Sequence, residues 1–223
     1  MPSNAEALAL WLEGPMQSWG HLSKCDRRTT LSHPTQSGVV GILGAALGVA
    51  RSDRLEIANL AGLTQEILVF GRPARWTDYH TVGGGYDPKE NPQAIVPKDG
   101  KPGSTVQTWR DYLAEACFGV VLSGGAELLA RCEAALRNPK WGVWLGRKCC
   151  IPSSPLSRGL HPEAKAAVEC LEEEAGKRKL KLLRRISPAA SFEDGTDTLH
   201  DVPLDFDLRE FGVRRVKVTD AEE

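Results

Sequence analysis

The order of the apolar segments constrains this chain more than any other feature. "EALALWLEGP" (6–15) is a short apolar run stopped by Gly-Pro, and it reads as a buried strand. "HPTQSGVVGILGAALGV" (33–49) reads as a helix, and "DRLEIANLAGL" adds another helical turn or two. "EILVFGRPARW" (66–76) reads as a second strand. "CFGVVLSG" (117–124), rich in β-branched residues and bounded by glycine, reads as a third. In "GAELLARCEAALRNP" (125–139), Leu128, Leu129, Cys132, Ala135 and Leu136 repeat at helical spacing, and Asn-Pro ends the segment. "WGVWLG" (141–146) reads as a fourth strand.

Strand, helix, strand, strand, helix, strand is the βαββαβ order of the ferredoxin-like fold, an α+β class that RNA-recognition domains share. Fold alone does not assign function. Two features exceed a minimal version. The connection from about 77 to 116 is far longer than the usual 2–6 residues, and a loop of that length is functional or disordered. Its flanks, "WTDYHT" and "VQTWRDYL", have strand character, which predicts a projecting β-hairpin with a mobile tip. Residues 151–223 add a "PSSP" linker, one charged helix and a terminal strand at 213–218. The domain reading is therefore 1–150, a ferredoxin-like domain carrying the insertion, and 151–223, a C-terminal extension or small subdomain. In "ECLEEEAGKRKLKLLRR" the acidic and basic halves read as one solvated, self-complementary helical face.

The helix at 33–49 carries glycines at 38, 41, 44 and 48, each costing a helix interior roughly 1 kcal/mol relative to alanine. They fall within one arc, opposite Val39, Leu43, Ala46, Leu47 and Ala50. A face without side chains admits either a close-packed neighbour or a ligand. Pro34, Thr35 and Ser37 are capping residues around the helix start, where free N–H groups attract an anion. Neither nucleotide-binding glycine fingerprint is present.

The 223 residues carry a formal net charge of −1, which argues against a naked nucleic-acid binder but not against a local basic strip. Six cysteines occur without a CxxC pair, so they read as reduced thiols of a cytoplasmic protein and not as a metal site. No apolar run approaches the ~20 residues of a membrane span. No GxSxG, HExxH or paired-carboxylate motif appears, so no catalytic centre, metal or cofactor is called for. His80, in "DYHT", is a candidate acid or base for RNA cleavage or else a hydrogen-bonding residue of the hairpin base. For RNA binding the ingredients recur at the loops. Lys24, Arg27 and Arg28 precede the glycine helix, Tyr79, Trp109, Arg110 and Tyr112 lie on the legs of the insertion, and Arg147 and Lys148 follow the last strand. Core burial of the aromatics and a solvated rim of arginines are the plain alternative.

Five stretches carry a resemblance: "LEGPMQSWG", "RRTTLSHPTQSGVVGILGAALG", "DYHT", "VQTWRDYLAEACF" and "LGRKCCIPSSPL". In this order, over residues 7–160, they resemble CasD, the fifth Cas family in its type I-E form. The resemblance implies a ferredoxin-like RNA-recognition domain with a β-hairpin thumb, in a non-catalytic subunit of a CRISPR Cascade surveillance complex. Such a subunit holds the 5′ handle of the CRISPR RNA, packs on the backbone subunit CasC and the large subunit CasA, and meets target DNA through the guide duplex. On that reading Gly38, Gly41 and Gly44, with Thr35 and Ser37, admit the RNA backbone, and Arg27 and Arg28 neutralise phosphates. Gln17, Ser18 and Trp19 read or stack on handle bases. Tyr79, His80, Trp109, Arg110 and Tyr112 set the thumb base, and Arg147 and Lys148 touch RNA or the large subunit. The related subtype I-C form cleaves precursor RNA, so a metal-independent endoribonuclease is the alternative. A structural adaptor and a free-standing RNA-recognition protein are further rivals.

Overall fold

A strand that is apolar at nearly every position must be covered on both faces. β1 (Ala7–Glu13) is such a strand, buried through Leu12. The computed structural model describes residues 6–20, 26–83 and 105–221. After β1 come β2 (Met16–Gln17), β3 (Arg27–Arg28), α1 (Gln36–Leu47), α2 (Arg54–Ala61), β4 (Thr64–Phe70) and β5 (Ala74–Gly83). β6 (Thr105–Ala114), β7 (Cys117–Ser123), α3 (Ala126–Arg137), β8 (Ser157–His161) and α4 (Ala164–Lys177) follow. The last elements are β9 (Leu182–Pro188), β10 (Asp197–Asp205) and β11 (Glu210–Asp220).

The main sheet has the order β10-β11-β9-β4-β7-β1-β8, antiparallel throughout. Its β4-β7-β1-β8 portion is the ferredoxin-like sheet, with α1 and α3 as the two crossover helices. Because side chains alternate along β1, Leu8, Leu10 and Leu12 enter the larger core with Val39 and Leu43 of α1 and Leu129 and Cys132 of α3. Ala7, Ala9 and Trp11 point the other way, onto Ala167, Val168 and Leu171 of α4. Gly119 lets α4 sit this close, since a Cβ there would stand 3.0 Å from Leu171 Cδ1. Many RNA-recognition domains stack bases on the open face of this sheet. Here α4 covers it, so any RNA must be met elsewhere.

The βαββαβ expectation holds, with three corrections. The fourth strand is not 141–146. That segment is a loop hydrogen-bonded to the end of α1, Lys140 N–H to Ala46 O at 2.9 Å and Trp141 N–H to Ala45 O at 3.1 Å. The strand on the edge of β1 away from β7 is β8, beyond residue 150. The run 66–76 spans two strands, because Gly71 (φ +70°) turns the chain and Pro73 has no N–H to donate, so β5 leaves for a second sheet. The acidic–basic segment is not one helix. α4 ends at Lys177, and Leu182–Pro188 becomes β9 between β4 and β11, with Arg185 reaching Glu66 and Glu172.

The second sheet is built around β6. β5 pairs along its length in antiparallel register, from Ala74↔Ala114 to Gly83↔Thr105. The other edge of β6 holds β2, antiparallel, and β3, parallel. The expected hairpin legs are thus present, and its tip, within 84–104, lies outside the described residues, as do His21, Lys24 and Cys25. No described helix is long and apolar enough to cross a membrane.

Candidate functional site

Cross-strand partners share a face of a sheet, and neighbours along a strand do not. The register of β3, β5 and β6 therefore divides the binding candidates on these strands into two groups.

On one face Tyr79 lies across from Trp109, ring centroids 5.4 Å apart, and Arg27 sits over the Trp109 ring at 6.0 Å. Both rings are exposed, 53% for Tyr79 and 39% for Trp109. Thr77, Arg75 and Asp111 share this face, with Thr77 Oγ1 donating to Asp111 at 2.7 Å.

On the opposite face Trp76 stacks on Tyr112 at 5.2 Å, and Arg28 is the cross-strand partner of Arg110. The Arg147 guanidinium lies 4.6 Å from the Tyr112 ring and donates to Asp111 O and Arg28 O at 3.0 and 2.8 Å. Those bonds tie the 145–150 loop to the hairpin. Gly146 makes the approach feasible, with φ +96° and a Cβ position 1.8 Å from Ser18 O. His80 is on this face too, with Nδ1 3.4 Å from Asp78.

Arg28 is held below the usual arginine range, first by partial burial and then by the charges of Arg110, Arg147 and Arg209. Among the described residues none of these four guanidiniums has a carboxylate within ion-pair distance. Such a cluster repels itself and attracts an anion. Arg209 is not evident as a member from sequence, because it sits in the turn joining β10 to β11, distant along the chain from the others. The one local signal is a turn, "DLRE", between two strand-like runs.

Other candidates are structural in this fold. Gln17 is fully buried, and its Nε2 donates to Leu12 O and Ala116 O at 3.0 and 2.8 Å. Trp19 is 1% exposed, donates to Gln17 Oε1 at 3.2 Å, and packs on Gly38, where a Cβ would stand 2.8 Å from its ring. Ser18 donates to Asp111 O. These three side chains brace β2 against β6 and α1 instead of presenting an edge to a base. Thr35 is the N-cap of α1, accepting from Gly38 N–H at 3.1 Å, and Ser37 donates to Thr35 Oγ1. The Asp201 carboxylate already accepts from Gln36 N–H at 2.7 Å and is clamped by Arg214 at 2.7 and 3.0 Å. An internal anion thus occupies the helix start. The four glycines divide by use: Gly38 packs on Trp19, Gly41 and Gly44 face a cavity, and Gly48 (φ +75°) is the left-handed C-cap. Lys148 is exposed at that cavity's rim.

The comparisons with known proteins agree with this architecture. The family model described as "CRISPR-associated protein (Cas_Cas5)" matches residues 7–217. The Escherichia coli (strain K12) protein "CRISPR system Cascade subunit CasD" is 35% identical over 164 residues, 68% of this chain and 70% of the relative. A solved "CRISPR RNA-guided surveillance complex" contains a chain with TM-score 0.74 and 25% identity, covering 97% of this chain and 90% of that one. A "Crystal structure of Cas protein" gives TM-score 0.67 and 29% identity, covering 96% and 94%. With the match running from the first strand into the last, this chain belongs to the Cas5 family of CRISPR-associated proteins.

Proposed function

We propose that this chain is a non-catalytic subunit of a Cascade-type surveillance complex and holds the 5′ handle of a CRISPR RNA. The observation that carries the reading is the pairing of Arg28 with Arg110 across one face of the second sheet, with Arg147 bonded to Arg28 O beside them and the charge of Arg209 reaching Arg28 from the β10–β11 turn, in a protein of net charge −1. Phosphates supply counter-charge beyond that of Asp78, which lies across from Arg110 on this face. The names of the E. coli relative and of the matched complex support assembly with further subunits, for which the backbone subunit CasC and the large subunit CasA are the candidates, with target DNA met through the guide duplex. The second hairpin face offers Tyr79 and Trp109 as an exposed aromatic surface.

The nuclease alternative needs an acid–base set drawn from Tyr79, His80 or a nearby lysine. Tyr79 and His80 are adjacent on β5 and face opposite sides of the hairpin, which speaks against these two as the pair at one phosphate.

The test is co-expression with the other subunits and a CRISPR array, followed by sequencing of the retained RNA. The parent is expected to carry a guide with a defined 5′ end. Arg28→Ala/Arg110→Ala is expected to weaken RNA binding tenfold or more and to lower the salt slope by about 1.4, the loss of two single-strand phosphate contacts. A double variant with unchanged RNA content and slope would overturn the assignment. Cleavage of repeat RNA without metal, abolished in His80→Ala, would restore the nuclease.

A further inference from the structure

Gly41 and Gly44 line one wall of a cavity of about 760 Å³. A Cβ at Gly41 would meet nothing within 4 Å, and one at Gly44 would reach only Val49, at 3.8 Å. The other walls mix aromatic and aliphatic side chains: Trp141 and Trp144 from the loop after α3, Phe206 from the β10–β11 turn, and Ile57 and Leu60 from α2. The space opens to solvent where Arg51, Trp141 and Lys148 are exposed, and its size falls in the range of ligand sites.

The charged residues lining it are Arg51 and Lys148, both cations. Neither has a hydrogen-bond or ion-pair partner among the described residues. Flat apolar walls with cations at the rim suit a ligand that is planar on its faces and anionic at its edge. An apolar peptide segment would leave those cations unused, whereas a nucleotide satisfies both features. The cavity also adjoins the guanidinium cluster, since Lys148 follows Arg147 and Arg209 lies three residues after Phe206 in one turn.

We infer that this cavity takes one unstacked nucleotide of the bound single-stranded RNA, its base against the glycine face of α1 and the indoles of Trp141 and Trp144, its phosphate on Lys148 and Arg51. The inference rests on the RNA-binding reading above and adds where one base goes. It also gives the C-terminal hairpin a part in the site, because Phe206 lines the cavity beside residues of α1, α2 and the tryptophan loop.

The test fills the cavity from the helix side. Gly41→Leu places a side chain where there is room, and leucine forms helix better than glycine, so the variant is expected to melt no lower than the parent. The RNA recovered from the co-expressed complex is resynthesised with one abasic site at a time and bound to the full-length chain. One position is expected at which base removal weakens parent binding about tenfold. Gly41→Leu is expected to bind the intact RNA about tenfold more weakly and to ignore that abasic site. If no position is sensitive, or if Gly41→Leu binds intact RNA as the parent does while Arg28→Ala/Arg110→Ala is impaired, the nucleotide assignment is overturned and the RNA reading stands. A Gly41→Leu chain that keeps RNA but loses a co-purifying subunit assigns the cavity to a protein and also overturns it. If the parent itself retains no RNA, the RNA reading fails and this inference fails with it.

Discussion

Gly146 and Gly41 show how differently one residue type is used. At Gly146 the backbone is left-handed and Ser18 O occupies the space of a Cβ. Gly146→Ala is expected to cost about 3 kcal/mol or more, combining strained φ with a backbone clash, measurable by urea denaturation. Gly41→Ala, in an open helical position, is expected to stabilise by about 0.5–1 kcal/mol in the same assay. His33 supplies a pH dependence. It is buried with Nδ1 3.1 Å from Pro34 O, and burial is the largest influence, pushing its pKa below the ordinary 6.5. The hydrogen bond to Pro34 O, then Asp201 and Asp197, oppose that shift, and Arg214 adds to it. The unfolded chain therefore takes up the proton first, so stability present above 6.5 is lost as pH falls toward the folded value. His33→Gln is expected to flatten that decline, and urea midpoints at about pH 7.5 and about pH 5.5 would show it. A parent whose midpoint does not move over this interval would contradict the account.

The ends and faces of α1 and the β5–β6 hairpin matter most at the scale of elements. Thr35 is legible as a cap from "HPTQS", and the glycine arc is legible from its spacing. That Asp201 takes the Gln36 N–H is not, because it comes from 165 residues away. Removing it leaves Gln36 N–H unmet and the partly buried Arg214 unpaired. Asp201→Ala is expected to cost about 3–5 kcal/mol in chemical denaturation, and a loss below about 1 kcal/mol would show that water substitutes freely. The hairpin legs are readable from alternation in "WTDYHT" and "VQTWRDYL". Which residues share a face is not, since that depends on the register of β3, which sets Arg28 beside Arg110 and Arg27 beside Trp109.

In the whole molecule, the C-terminal residues complete the sheet instead of trailing from it. β8 flanks β1, β9 and β11 extend the sheet beyond β4, and α4 seals its second face. A chain ending at residue 150 is expected to lack cooperative unfolding, because it exposes Trp11 and the β1 edge and loses Asp201. A cooperative melt of that fragment would establish 1–150 as an independent domain. The sequence by itself determined the α+β class, the helices at α1 and α3, the hairpin legs and the family, because these rest on local periodicity, capping and short motifs. Tertiary structure decided that "WGVWLG" is a loop, that Trp19 and Gln17 are core, that α4 closes the sheet face, and that Arg209 joins Arg28. Each of these depends on which surfaces meet across long sequence separations, and local propensity carries no information about that.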